Sequence, residues 1–435
     1  MTTSALTPSV PVPRVPGWPW SHLLRMRRDP MGLMREGASL GADVVRLSFG
    51  TIPAFVLYSP EVVHRVLVPG ENVWKGTRGA KLLSRVLGPG LLTTEGVVWR
   101  ERRRLAQPRF RHEALAGMPA AVQRYADRMV GEWRGAPEVD AMPALSRLAL
   151  SVVCEVMFGV DPGEDAAKVH SALDEVLSGF LRIMTFPIEG IETWPLPASR
   201  RHQAAVRALD EVVGHLIERR RAAGPLEGDL LADWILAADA GRLTTEDLHA
   251  EVVTMLLAGH ETTANAMSFT LALLATHPEE QRKVVAGLGP APGVKEDLGP
   301  LERAFNEALR LYPPAWVLSR ATTAPVDLGP AVAPMGSFLF IPIAAIHRDP
   351  RWWSDPDTFR PDRHLALDAA AKAAFLPFGM GPRRCVGEHF ARTEARVALA
   401  TVLRVFEIDA DEVPAANPSV TLRPRGAVTL RLRLR

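Results

Sequence analysis

Phe378-Gly379-Met380-Gly381-Pro382-Arg383-Arg384-Cys385-Val386-Gly387 is the stretch that decides how the 435-residue chain is read, and a helical pattern follows it from about Glu388 to Phe406. A cysteine at the start of a helix has its thiolate favoured by the positive end of the dipole and by backbone N–H groups that lack a partner inside the helix. Glycines at 381 and 387 allow a tight turn and close approach of the backbone to a flat ligand. Phe378 can shield the sulfur, and Arg383 can meet a carboxylate on such a ligand. Shielding is required, because an exposed thiolate oxidises. A lone cysteine is more often an inert buried side chain. That reading suits Cys154, set in Leu150-Ser151-Val152-Val153, and suits Cys385 badly. The pattern F-x-x-G-x-R-x-C-x-G should arise by chance on the order of once in 10⁴ such chains.

Outward from this loop, composition sets limits. The chain is 47% hydrophobic and 23% charged, with a net charge of +2. It is globular, long enough to bury a cofactor, and too weakly charged to argue for nucleic acid. Two cysteines cannot build a disulfide framework, which points to a reducing compartment. No charged-then-apolar signal opens the chain, and no uninterrupted apolar run reaches the roughly 18 residues that span a bilayer. The expectation is a cytoplasmic protein with no membrane anchor. Residues 1–22 are expected to form a proline-rich arm and 23–435 a single domain. Strand-like runs lie at Asp43 to Phe49, Ala54 to Tyr58, Ser337 to Ile341 and in the tail from Ala427 to Arg435, while helical patterning dominates from about 60 to 405. The class is mainly α with a small β portion.

One helix is expected from Thr244, with Asp247 as an approximate capping-box partner, to about Thr276 ahead of Pro278. At its centre stands Ala258-Gly259-His260-Glu261-Thr262-Thr263, polar residues and a glycine where a buried helix would avoid them. A mid-helix Thr262 can bond back to the Ala258 carbonyl and open a groove. A hydroxyl beside a carboxylate can also relay protons. A zinc-protease reading fails, because the second histidine it needs would be at 264, which is Ala264.

Two further motifs complete the set. Glu307-Ala308-Leu309-Arg310 puts an acid and a base at i and i+3 on a helix ending at Pro313-Pro314, and a buried pair of that kind needs more partners. Trp99-Arg100-Glu101-Arg102-Arg103 puts an indole N–H and a guanidinium at i and i+4, able to meet one carboxylate.

In this order the four motifs resemble those of the cytochrome P450 family, over nearly the whole chain. The resemblance implies the P450 fold, with haem b (iron protoporphyrin IX) between a long central distal helix and a proximal Cys loop. It implies that Cys385 ligates the iron and that Glu261 and Thr262 are the catalytic acid–alcohol pair. It implies that Trp99, Arg103, Arg320, Phe378, Arg383 and Gly387 bind the cofactor, the arginines meeting its propionates. Arg363, in Phe359-Arg360-Pro361-Asp362-Arg363, would join Glu307 and Arg310 as a structural triad, while His364 stands where the family usually has an aromatic residue. The substrate pocket would draw on Phe180, Leu257, Ala258, Val317 and Leu318, which are apolar and suit a hydrophobic small molecule.

Only 50 residues follow Cys385, too few for a flavin domain, so electrons are expected from a ferredoxin or flavodoxin with its reductase. Arg100, Arg102, Arg104, Arg109 and Arg111 offer a basic dock for such a partner. The implied reaction is a monooxygenation with O2. The helix and Cys-loop segments look somewhat like those of bacterial terpene-oxidising members of secondary metabolism. A fatty-acid or polyketide hydroxylase, a peroxide-driven haem-thiolate oxygenase and a non-enzymatic haem sensor are the competing readings. The last two have no use for a proton relay.

Overall fold

Most of the strands gather in one of two compact units. A computed structural model describes residues 12–435 apart from 162, 164–167, 170, 174, 177–193, 195 and 289–298. The first unit comprises the described chain up to Lys81, Ala315–Thr358 and Leu367–Cys385; the second comprises Leu82–Pro314, Phe359–Ala366 and Val386–Arg435.

In the first unit Val44–Phe49 and Ile52–Leu57 pair antiparallel, Val44 opposite Leu57 and Phe49 opposite Ile52. The two-residue turn between them begins at Gly50, whose φ of +65° suits a hairpin of this length. Ile52–Leu57 continues parallel to Phe338–Ile341, which pairs antiparallel with Leu318–Thr322, and Val73–Trp74 closes the edge. Three of the strand runs expected from the sequence are therefore neighbours. Val44, Phe55, Leu57, Leu339 and Ile341 are buried in one cluster with Val63 and Leu67 of the helix Pro60–Leu67. The N-terminal segment adds to the sheet edge: Val15 N–H donates to the Arg46 carbonyl at 3.1 Å, and Arg46 N–H to the Pro13 carbonyl at 2.8 Å. A helix then starts at Pro19, where a proline's fixed φ and missing N–H cost nothing.

The second unit is helical. Its longest element, Thr245–Thr276, has 32 residues and runs about 48 Å at 1.5 Å per residue. The expected capping box is present: Thr244 Oγ1 accepts from Asp247 N–H at 3.0 Å, and Asp247 returns a bond to Thr244 N–H at 2.9 Å. Ala141–Phe158 packs on this helix. A Cβ built on Gly259 would lie 2.7 Å from Val153 Cγ2, so the mid-helix glycine allows close contact between the two. Ala141–Phe158 is apolar and long enough to cross a membrane, but 67% of it is buried inside the protein, as a core helix is. Cys154 lies on it, fully buried, and burial pushes its thiol up to about 12, leaving it inert. The C-terminal run pairs as Thr429–Leu434 with Phe406–Asp409 and Glu138–Asp140.

Candidate active site

In the first unit the Cys385 loop is fixed by its backbone. Cys385 N–H donates to the Phe378 carbonyl at 2.9 Å, closing a turn over Gly379 and Gly381, both at positive φ. The need for glycine at 381 differs from the one the sequence suggested. Its φ is +71°, and a Cβ there would lie 2.0 Å from the Leu67 carbonyl oxygen, so the close approach is to the end of the helix Pro60–Leu67. Gly387, at φ −91°, is the N-cap of the helix Glu388–Val405 rather than a reversed turn. Cys385 is exposed and Phe378 half-buried. Arg320 is buried on Leu318–Thr322 and donates from Nη1 to the Ser319 carbonyl at 2.8 Å, and Arg383 is half-buried. Val317 and Leu318 are half-buried beside them in sequence. A single thiolate with Arg383 two residues before it in the chain suits a metal held in a ring that brings its other ligands and carries carboxylates.

In the second unit the long helix is buried almost continuously from Ala250 to Ala275, and the interruption is informative. Ala258 is exposed and Gly259 and Thr262 are partly so, while Leu257 and Glu261 are buried. Positions 258, 259 and 262 share one helix face. Thr262 Oγ1 donates to the Ala258 carbonyl at 2.7 Å, the back-bond expected at an opened groove. Glu261 is turned away from that face, and its Oε1 accepts from Thr421 Oγ1 at 2.7 Å. Asn265 Nδ2 in turn donates to Thr421 at 3.3 Å. Thr421 and Asn265 were not found from sequence. Asn265 had a signal, a buried amide one turn beyond Glu261, but Thr421 lies 160 residues away. On Gly96–Ala106, Trp99 and Arg103 are both half-buried at i and i+4, and Arg103 Nε reaches Gln107 at 3.4 Å.

Glu307 collects more bonds than its motif suggested. Arg310 donates to it twice at 2.9 Å, Arg363 Nε at 2.8 Å and the Arg360 N–H at 3.0 Å, and His364 Nε2 lies 3.0 Å from Oε2. Burial alone would raise the carboxyl, but the bonds from Arg310 and His364 outweigh it and hold it at about 2. His364 thus fills the usual aromatic position as a further hydrogen-bond partner.

A cytochrome P450 family model matches residues 10–430 of the chain. The chain belongs to the cytochrome P450 family. It is 33% identical to pentalenene oxygenase of Streptomyces avermitilis, over 95% of this chain and 94% of that protein. It is 32% identical to cyclooctatin synthase of Streptomyces melanosporofaciens, over 94% and 91%. The crystal structure of CYP175A1 from Thermus thermophilus superposes with a TM-score of 0.81 at 28% identity, covering 97% of this chain and all of that one. The fold expected from the sequence is the one found, and the protein is a P450 monooxygenase, a haem-iron enzyme of a family that uses O2 and redox partners.

The basic patch of this P450 is smaller than its sequence suggested. Arg102 is buried, with Nη2 2.5 Å from Asp247 and Nη1 3.4 Å from Glu251, so it ties Gly96–Ala106 to the start of the long helix. Arg109 forms a two-pronged pair with Asp233 at 2.6 and 2.8 Å. Both leave the proposed dock, because a guanidinium already matched to carboxylates has little attraction left for a partner. Arg100, Arg104 and Arg111 remain exposed. Of the suggested pocket residues, Phe180 lies outside the described residues.

Proposed function

We propose that this P450 uses haem b and electrons from a ferredoxin or flavodoxin to insert one oxygen atom of O2 into a hydrophobic terpenoid. The observation that carries the reading is the exposed hydroxyl-bearing face of Ala258, Gly259 and Thr262 in the middle of an otherwise buried helix. Cys385 would ligate the iron, with Phe378 beside the sulfur and Gly387 capping the next helix. Arg103, Arg320 and Arg383, assisted by Trp99, would meet the propionates, which are costly to bury without cations. When bound, the haem would supply an iron able to activate oxygen, and Cys385 as its thiolate ligand would supply electron density to it.

The protein's own residues handle protons and water. Thr262 gives its hydrogen to the Ala258 carbonyl, so its lone pairs face the open side and can accept a bond from water or substrate. Glu261, buried one residue away, is the nearby acid, and Thr421 and Asn265 set its orientation. Leu257 and Ala258 on the long helix, and Val317 and Leu318 in the first unit, are apolar, which suits a hydrophobic substrate. The named relatives act on or make pentalenene and cyclooctatin, which favours a terpenoid over a fatty acid or polyketide.

The ferrous carbon monoxide complex should show the far-red Soret band of thiolate ligation, and Cys385→His should abolish it. Purified protein without haem, or a complex without that band, would overturn the reading. Thr262→Ala should divert reductant to peroxide, measured as product formed per reductant consumed. A spin-state titration against terpene, fatty-acid and macrolide panels tests the substrate class, and a response confined to fatty acids would reject a terpenoid.

A further inference from the structure

His112 and His389 face each other outside the machinery described above. His112 follows the short turn Gln107–Phe110, and His389 is the second residue of Glu388–Val405. His112 Nδ1 lies 3.0 Å from His389 Nε2, with ring centroids 5.0 Å apart and planes tilted by 53°. His112 is exposed and His389 half-buried, so water reaches the pair. The two segments are held together by an apolar contact alongside: the rings of Phe110 and Phe390 meet edge-on at 6.5 Å. The imidazoles are thus brought face to face by packing between residues 277 apart in sequence.

We infer that His112 and His389 form a two-histidine site for a divalent transition-metal ion, zinc or copper(II), on the surface of the second unit. Imidazole nitrogens bind such ions at 2.0–2.1 Å, which sets two of them about 2.9 Å apart at a right angle and about 3.3 Å apart at the tetrahedral angle. The observed 3.0 Å lies within that span, so an ion could enter with little side-chain movement. The hydrogen bond now joining the rings places a lone pair and an N–H at the same spot; the ion would take that place, and the donor ring's proton would pass through water to its own outer nitrogen. The outer nitrogens, His112 Nε2 and His389 Nδ1, would then carry the remaining N–H groups. Water would complete the coordination. Glu113 and Glu388 adjoin the two histidines in sequence and lower the local cost of a cation, while the exposed Arg111 opposes it. Glu388 is engaged with Arg392 Nε at 3.2 Å and supports the site by charge rather than as a ligand. Imidazole pairs suit zinc and copper better than calcium or magnesium, which seek oxygen. Because both ligands are positioned only in the folded chain, the ion would clamp the segment after Gly96–Ala106 to the first turn of Glu388–Val405 and stabilise the folded state.

The test is calorimetric titration of haem-loaded enzyme with zinc chloride, in which Cys385 is not available as a competing ligand. Wild type should bind one saturable equivalent. His112→Ala and His389→Ala should each weaken binding at least about tenfold, since losing even an outer-shell partner costs 10–100-fold. Zinc should raise the melting temperature of wild type and of neither variant. An unchanged carbon monoxide spectrum in both variants shows that the fold is intact. Wild type without saturable binding, or variants that bind as wild type does, would overturn the site and leave only an imidazole hydrogen bond.

Discussion

Glu307 and Glu251 are both fully buried helical glutamates beside an arginine, and their carboxyls are shifted in opposite directions. Glu307 is held at about 2 and Glu251 is pushed up to about 7. Burial acts on both in the same direction. The difference is the number of donors that arrive with it. Glu307 receives bonds from Arg310, Arg363 and the Arg360 N–H, and meets His364, all at 3.0 Å or less. Glu251 has Arg102 Nη1 at 3.4 Å, while the better-placed Nη2 of the same guanidinium goes to Asp247. A buried carboxylate stays charged when its lone pairs are filled, and one distant cation with the Leu91 N–H does not fill them.

The largest break in this comparison should come from Glu307→Gln. It would remove the carboxylate that buried Arg310 and Arg363 share, a loss of about 3–5 kcal/mol, comparable to much of a domain's stability. Soluble yield and haem content should collapse. Recovery of well-folded haem protein from this variant would show that the network is ornamental. Arg102→Met should cost less, about 1–3 kcal/mol by urea midpoint, because Glu251 needs little further shift to take up a proton near neutrality. If Arg102→Met were as damaging as Glu307→Gln, donor number would not be what separates the two sites.

The two sites also differ in how visible they were. Glu307 and Arg310 stand at i and i+3, a spacing that brings side chains together on any helix, so the pair could be read locally. The Cys385 turn, the Thr244 capping box and the Thr262 back-bond were legible for the same reason: each is made within a few residues. Arg102 was misread because its helix presents one arginine face to solvent and another to the core, and Asp247 and Glu251 are reached only through tertiary packing. The clue was there in retrospect, two carboxylates at i and i+4 near the start of an apolar helix. Thr421 gave no local sign at all, and the bond to Glu261 depends on where the C-terminal tail returns.

Opposite shifts imply opposite dependences on pH. Glu307 has its carboxyl lowered on folding, so its contribution is present above its ordinary value near 4.5 and is lost as pH falls from there toward about 2. Glu251 has its carboxyl raised, so the folded protein binds the extra proton, and stability declines as pH rises from near 4.5 through about 7. Glu251→Gln should therefore flatten the stability profile between pH 4.5 and 7 and leave the steeper acid limb in place. Urea denaturation across that range measures it. A variant whose slope matches wild type would return Glu251 to an ordinary ionised carboxylate.

The smallest effect is expected from His364→Phe, which restores the aromatic residue usual at this position. It removes one of the partners of Glu307 Oε2 and leaves Arg310 Nε on the same oxygen, so the carboxylate loses a bond but not its charge. A single lost hydrogen bond is worth about 0.5–1.5 kcal/mol, and the phenyl ring's own burial offsets part of it. The acid limb of the unfolding profile should move to slightly higher pH, because Glu307 is then held less tightly in its charged form. Donor number predicts this graded response. A His364→Phe protein as unstable as Glu307→Gln would mean that His364 supplies the charge balance itself, with the arginines subordinate to it.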